Sequence, residues 1–320
     1  GGGFGRRSEI DFVRDAVAIA RRVTYPIKLI YSREDDFASD YFRPPTVQRL
    51  RARLDQQGYP DQWHHRLVSN SDSTSGAKRL PYAVPNVLVD VGVVATPHLK
   101  HGYWRSVAHS YTAFAVESFI DELAHVNGTD PLDYRLAMLA DAPRDRAVLE
   151  AVAEMAGWRR EQENRYLGIA GHRAFGSYTA QVVELVRQPQ GELKLVAVYC
   201  AFDCGQIVDP DIVEGQLQGS IIYALTSALK SQVTVNEGVV EQSHFGDFPL
   251  LRFDETPEIN IRLTASSESP GGVGEPGVPP LLPALANALF RATGERYRRF
   301  PVTGLQLASG RAGRTDENQG

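Results

Sequence analysis

Residues 270–280 constrain this chain more than any other stretch. Pro270-Gly271-Gly272-Val273-Gly274-Glu275-Pro276-Gly277-Val278-Pro279-Pro280 holds four glycines and four prolines in eleven positions. Neither a helix interior nor a central strand accommodates that density of ring-locked and side-chain-free residues, so the stretch must be a stiff loop that can pack closely against its surroundings. It runs directly into an apolar segment, 281–293, that reads as a helix stopped by Gly294. The loop's one ionisable side chain is Glu275. A carboxylate held in a dry loop suits general-base chemistry. A carboxylate just ahead of a helix also suits the positive end of the helix dipole, and the local sequence leaves both readings open.

The rest of the chain reads as blocks. Spacing predicts a helix over 11–23, an alternating strand over 26–32, and a helix over 43–57 opened by Pro44-Pro45 and stopped by Gly58. Residues 69–80 are small and polar, hence a loop, and 86–95 are nearly all apolar, which fits a buried strand. The strongest helix is 106–126, with Tyr111, Phe114, Ala115, Ser118, Phe119, Glu122 and Val126 at three- and four-residue spacing and Gly128 placed as its C-terminal stop. Asp130-Pro131 opens another helix, and Asp145 with Gly157 brackets a third. From Tyr166 onward the character changes. Strands over 178–187 and 192–202 are joined through Pro189-Gln190-Gly191, a helix runs from Asp209-Pro210 to Leu229, and a further strand pair precedes the glycine–proline loop. This is an α+β chain, with a glycine-loop and helical part over 1–160, a hairpin and helix part over 161–310, and a disordered tail expected at 311–320.

Composition removes several classes. A formal charge of −5 over 320 residues lacks the basic excess of a nucleic-acid surface. No apolar run approaches the roughly 18 residues of a membrane helix, and Asp90 interrupts the longest. The two cysteines, Cys200 and Cys204, exclude a disulfide scaffold, a four-cysteine zinc site and a self-contained iron–sulfur cluster. His98, His101 and the pair His64-His65 have no carboxylate at ligand spacing and read as ordinary surface or loop histidines. Neither G-x-S-x-G nor H-E-x-x-H occurs. Two other segments invite a ligand. Gly1-Gly2-Gly3-Phe4-Gly5-Arg6-Arg7 presents bare amides before a helix, without the spacing of a dinucleotide or P-loop motif, and a structural turn is the plainer alternative. Glycines at 215 and 219 flank Gln216, after Asp203-Cys204-Gly205 and Asp209-Pro210, so a ligand could approach that amide, although a structural amide fits as well.

The order of these segments is more telling than any one of them. Gly1-Gly2-Gly3-Phe4-Gly5-Arg6-Arg7, Tyr103-Trp104-Arg105-Ser106-Val107, the helix around Phe114-Ala115-Val116-Glu117-Ser118-Phe119, Gly215-Gln216 and the Glu275 loop follow in a series that resembles the molybdenum-binding subunit of the xanthine oxidase family. The likeness is to its isoquinoline 1-oxidoreductase β-subunit and membrane-bound aldehyde dehydrogenase branch, and it covers roughly residues 1–302. The fold it implies is a molybdopterin-binding α+β domain of the aldehyde oxidoreductase type, incomplete without an upstream or partner segment.

By that resemblance Glu275 is the base that accepts a proton from the oxygen nucleophile, and Arg105 matches the active-site arginine. Gly3, Phe4, Gly5 and Arg6 would lie against the cofactor, with the Phe4 amide near the apical molybdenum ligand. Gln216 and Gly274 would contact the cofactor as well. The metal is held by the pterin, taken to be the cytosine dinucleotide form, so no protein side chain ligates it. Ser8 and Val107 stand where purine hydroxylases carry glutamate and phenylalanine, which points to an aldehyde or N-heteroaromatic substrate and away from a purine. Ala108 stands where relatives usually have glycine. The implied partners are an N-terminal half or companion molybdenum-subunit chain, a small [2Fe–2S] subunit, and a membrane cytochrome c acceptor. The branch favours the bacterial periplasm or a membrane-associated complex. The alternatives are a non-catalytic scaffold half and a hydrolase pairing Glu275 with Asp254 or Glu255. The glycine cluster at residue 1 leads us to expect further segments of the site upstream.

Overall fold

The computed structural model describes residues 2–96, 99–160, 162–264 and 266–307; Gly1, His98 and the tail expected at 311–320 lie outside them. The chain begins with two short helices, α1 (Asp11–Ala20) and α2 (Arg33–Ser39), the second closed by a capping box between Ser32 and Asp35. Residues 26–32, expected as a strand, pair with no other strand: Ile30 is exposed and the Tyr31 hydroxyl donates to Asp15 instead.

The expected helix over 43–57 is a strand, β1 (Thr46–Leu54). Its burial alternates strictly, with Val47, Arg49, Arg51 and Arg53 outward, and this period of two outweighs the helix propensity of its arginines. Gly58, at φ 84, makes the turn into the antiparallel strand β2 (Pro60–Ser69) rather than a helix stop. Alternation along β2 carries Trp63, His65 and Leu67 into the core. His65 is therefore buried, not a surface histidine, and is bonded to Gln48, while His64 on the other face pairs with Asp90. The strand expected over 86–95 exists as β3 (Asn86–Val93), parallel to β2, but as an exposed sheet edge and not a buried strand.

Next come α3 (His109–Val126), α4 (Pro131–Ala137), capped by the Asp130 carboxylate, and α5 (Pro143–Met155). The stripe expected to bury α3 is only partly in the core. The deeply buried positions include Ala113, Val116, Glu117, Ile120 and Ala124, whereas Val126 is exposed. Glu117 accepts from Tyr82, Arg135 and the Gly171 amide, a charged network inside the core.

The second sheet starts with β4 (Arg165–Ala174), which the sequence signalled only as a change of character, followed by β5 (Ser177–Arg187) and β6 (Leu193–Asp203) as an antiparallel meander. After α6 (Pro210–Leu229) and a small hairpin of β7 (Val235–Asn236) and β8 (Val239–Val240), β9 (Glu258–Leu263) returns parallel to β6. The chain then passes through the glycine–proline loop into α7 (Leu281–Thr293), ended by Gly294 at φ 76. Helices α6 and α7 bury one face of this sheet, and α3, α4 and α5 bury the other. No helix of the described residues is long and apolar enough to cross a membrane.

Candidate active site

The loop at 270–280 is pinned through its backbone. The Gly271 amide donates to the Cys204 carbonyl and the Gly272 amide to Phe175, while Ser177 Oγ donates to the Gly272 carbonyl at 2.6 Å and Gln181 Nε2 to that of Gly277 at 2.8 Å. A Cβ at Gly271 would lie 2.4 Å from Ser177 Oγ, so glycine is required there for the loop to touch the end of the second sheet. The loop thereby presents Gly274 and Glu275 to the segment that precedes α3.

That segment reaches back. Arg105 donates through Nε to the Gly274 carbonyl at 2.7 Å and through Nη2 to Gln216 Oε1 at 3.1 Å. The Ser106 amide donates to Glu275 Oε1 at 2.9 Å, and the Ser106 hydroxyl donates to the Glu275 carbonyl at 2.6 Å. These contacts need an unusual backbone: Ser106 (φ 76) and Val107 (φ 48) are both left-handed without being glycine. Such conformations cost on the order of 1–3 kcal/mol each and persist where surrounding bonds over-determine them. Burial holds the Arg105 guanidinium below its ordinary range, against the pull of Glu275 and Tyr223. Arg105 lies over the Tyr223 ring, Tyr223 packs on Trp104, and Arg43 lies over the other partner of that pair, 4.3 Å from the Trp104 centroid.

Four of the sequence-predicted residues, Arg105, Gln216, Gly274 and Glu275, therefore form one cluster. The N-terminal four sit beside it through Tyr103. Gly5, at φ 78, is so close to Tyr103 that a Cβ would come within 2.3 Å of it. Phe4 is 92% exposed, and Gly3 closes the turn by accepting from the Arg6 amide. The Arg6 guanidinium is held by Asp11 at 2.8 Å and Asp40 at 2.7 Å and lies between Phe12 and Tyr41, so its charge is neutralised within the chain. Asp254 and Glu255, the carboxylates of the hydrolase reading, are engaged elsewhere: Glu255 with Lys230 and the Arg252 amide, Asp254 with Arg252. Asp203 is taken up by a two-pronged bond from Arg144, and Cys200 and Cys204 are buried free thiols.

Ser106, Trp104 and Tyr223 were not singled out from sequence. Ser106 lay inside a recognised motif, but nothing in a serine–valine pair signals left-handed backbone.

The cluster leaves room for a bound group. A Cβ at Gly215 would meet nothing within 4 Å, and one at Gly274 would meet only Gln216 Oε1 at 3.7 Å. These two glycines are thus not demanded by the chain's own packing, and the space they leave open lies on either side of the Gln216 amide. Among the described residues no group of three or more His, Cys, Asp or Glu could hold a metal ion, so a metal here would have to arrive with its own ligand. That combination fits a pterin-borne metal.

The molybdopterin cofactor-binding domain family matches residues 1–139 and again 115–257. The chain is 33% identical over 340 residues to isoquinoline 1-oxidoreductase subunit beta of Brevundimonas diminuta, covering 98% of this chain and 43% of the relative. The chain belongs to the molybdenum-binding subunits of the xanthine oxidase family. It is also 28% identical to the membrane-bound aldehyde dehydrogenase [pyrroloquinoline-quinone] of Gluconacetobacter polyoxogenes, over 97% of this chain and 46% of that one. Quinoline 2-oxidoreductase from Pseudomonas putida 86 shares the fold, with a TM-score of 0.82 at 13% identity over 95% of this chain and 67% of that chain. The molybdenum-binding chain thus spans under half the length of these curated relatives.

Proposed function

We propose that this chain carries the proton-accepting carboxylate and one wall of the cofactor site in a molybdenum hydroxylase that oxidises an aldehyde or N-heteroaromatic C–H bond with oxygen from water. The overall change takes one water and one C–H bond to a C–O bond, two protons and two electrons. The observation that carries this reading is the grip of Arg105 and Ser106 on Gly274 and Glu275 beside the open Gly215–Gln216 surface.

When bound, the molybdopterin would supply the two-electron acceptor. Glu275 Oε2 would take the proton from the attacking oxygen, because Oε1 is occupied by the Ser106 amide. Arg105 would fix the Gly274 carbonyl and turn the Gln216 amide toward the pterin, and Gly3, Phe4 and Gly5 would lay backbone amides against the cofactor while Arg6 braces that turn. The cytosine dinucleotide form suits the branch. Two electrons must leave, and two buried cysteines cannot hold a cluster. We therefore assign the exit to a small [2Fe–2S] subunit and a cytochrome c acceptor, in a periplasmic or membrane-associated complex. A companion molybdenum-subunit polypeptide would supply the rest of the site.

Glu275→Gln in the assembled enzyme tests this. Loss of a general base lowers turnover by about 10²–10⁴, with molybdenum content and thermal stability unchanged. Undiminished turnover, or a complex that binds no molybdenum, overturns the reading and leaves a non-catalytic scaffold.

A further inference from the structure

The stripe of α3 that the sequence marked out as core-facing does not meet a core. Phe114, Ala115, Ser118 and Phe119 line a groove of about 720 Å³ between α3 and β1, closed by Leu282 and Phe300. The groove has two kinds of unmet demand. The Ser118 hydroxyl is buried and has no hydrogen-bond partner among the described residues. At the end near Pro44 stand two arginines that form no ion pair among the described residues. Arg43 makes one side-chain hydrogen bond, to Ser110 Oγ at 3.2 Å, and Arg49 is exposed on β1. Burial without a carboxylate pushes the Arg43 guanidinium down to about 10. By contrast, the groove's third arginine, Arg298, already pairs with Glu122.

A cation drawn from water without a counter-ion is costly, and an amphipathic helix face without a cover exposes apolar surface to water. One acidic, partly apolar occupant would relieve both. We propose that this groove seats a segment of the polypeptide carrying the remainder of the relatives' length, with an acidic side chain on Arg43 and Arg49 and apolar side chains between Phe114, Phe119 and Phe300. The inference rests on the reading that a companion polypeptide completes the enzyme, and it names the surface by which that polypeptide docks. The charge pattern selects the occupant: two free cations at one end and aromatic walls at the other ask for an acidic residue followed by apolar ones.

The test is made in the assembled enzyme, with a photo-crosslinking amino acid at Ala115 and a control at Val208, which is 85% exposed and outside the groove. The expected result is crosslinking from Ala115 to companion peptides lying outside residues 1–320, mapped by mass spectrometry. Arg49→Glu, at an exposed position that leaves folding intact, should lower the yield at least about tenfold without changing the Val208 control. A charge-reversing acidic→Arg change on the crosslinked companion segment should restore it. Crosslinks confined to a second copy of this chain, or none in an intact enzyme, overturn the proposal. So does a groove whose occupancy is displaced by inorganic phosphate with no loss of companion. Crosslinking in a complex that lacks molybdenum would sink the catalytic reading while leaving this one standing, so the two failures are distinguishable.

Discussion

Ser106 grips Glu275 at both ends: its amide donates 2.9 Å to the carboxylate and its hydroxyl 2.6 Å to the carbonyl. The side chain is thus aimed by a neighbour that is fully buried and held in left-handed backbone, so its orientation does not depend on a mobile loop.

The adjoining Val107 is the more strained of the pair, because a β-branched residue at φ 48 is sterically opposed. Val107→Gly and Val107→Ala both remove side-chain contacts, but only glycine relieves the backbone. The glycine variant should be more stable than the alanine variant by about 1 kcal/mol in urea unfolding.

Inside the core, Arg135 (0% exposed) and Glu117 (1%) meet at 3.0 Å. Arg135→Met leaves a buried carboxylate answered only by Tyr82 and the Gly171 amide. Denaturant titration should show a loss of about 3–5 kcal/mol, recovered in part by adding Glu117→Gln.

Acid should weaken the fold through histidines. Burial pushes His172 down to about 3 and His65 to about 4, whereas the unfolded chain takes up those protons near 6.5. Their stabilising contribution is complete above about 6.5 and is lost progressively as pH falls toward the folded values. Asp145, raised by burial to about 6, works in the opposite sense: its contribution is present below the unfolded value and declines as pH rises through 6. His172→Gln should flatten the acid loss in thermal melts between pH 4 and 6.5, and Asp145→Asn should steepen it.

Gly274 offers a test of cofactor contact that does not depend on turnover. Since a Cβ there meets only Gln216 Oε1 at 3.7 Å, Gly274→Ala should alter stability by no more than about 0.5 kcal/mol. The same change should lower the molybdopterin content of the assembled enzyme, assayed as pterin released per chain. Full pterin occupancy would remove Gly274 from the cofactor surface.

Sequence pattern carried the second half of the fold well because its signals are local. Pro280 and Gly294 bracket α7, and Pro189-Gln190-Gly191 turns β5 into β6. It misjudged β1, whose arginines favour a helix while their alternate exposure, visible only once β2 is alongside, makes a strand. It misjudged β3 as well, because an apolar run looks buried whether or not anything covers it. At the site, Glu275, Arg105 and Gln216 were legible from motif order. Two contributors escaped: the left-handed turn at Ser106 and the uncompensated Arg43. Both are consequences of tertiary contact and leave no mark on residue type.

The hydrogen bonds that assemble the site join positions 169 and 111 residues apart. Loop-closure entropy delays contacts of such long range in folding, and here they also require the parallel return of β9 beside β6. A ribosome-bound chain that has not yet released Glu275 has no site, however well its early helices and hairpins have formed. Cofactor insertion is therefore a final event in biogenesis, and a loaded enzyme certifies that its whole chain has folded.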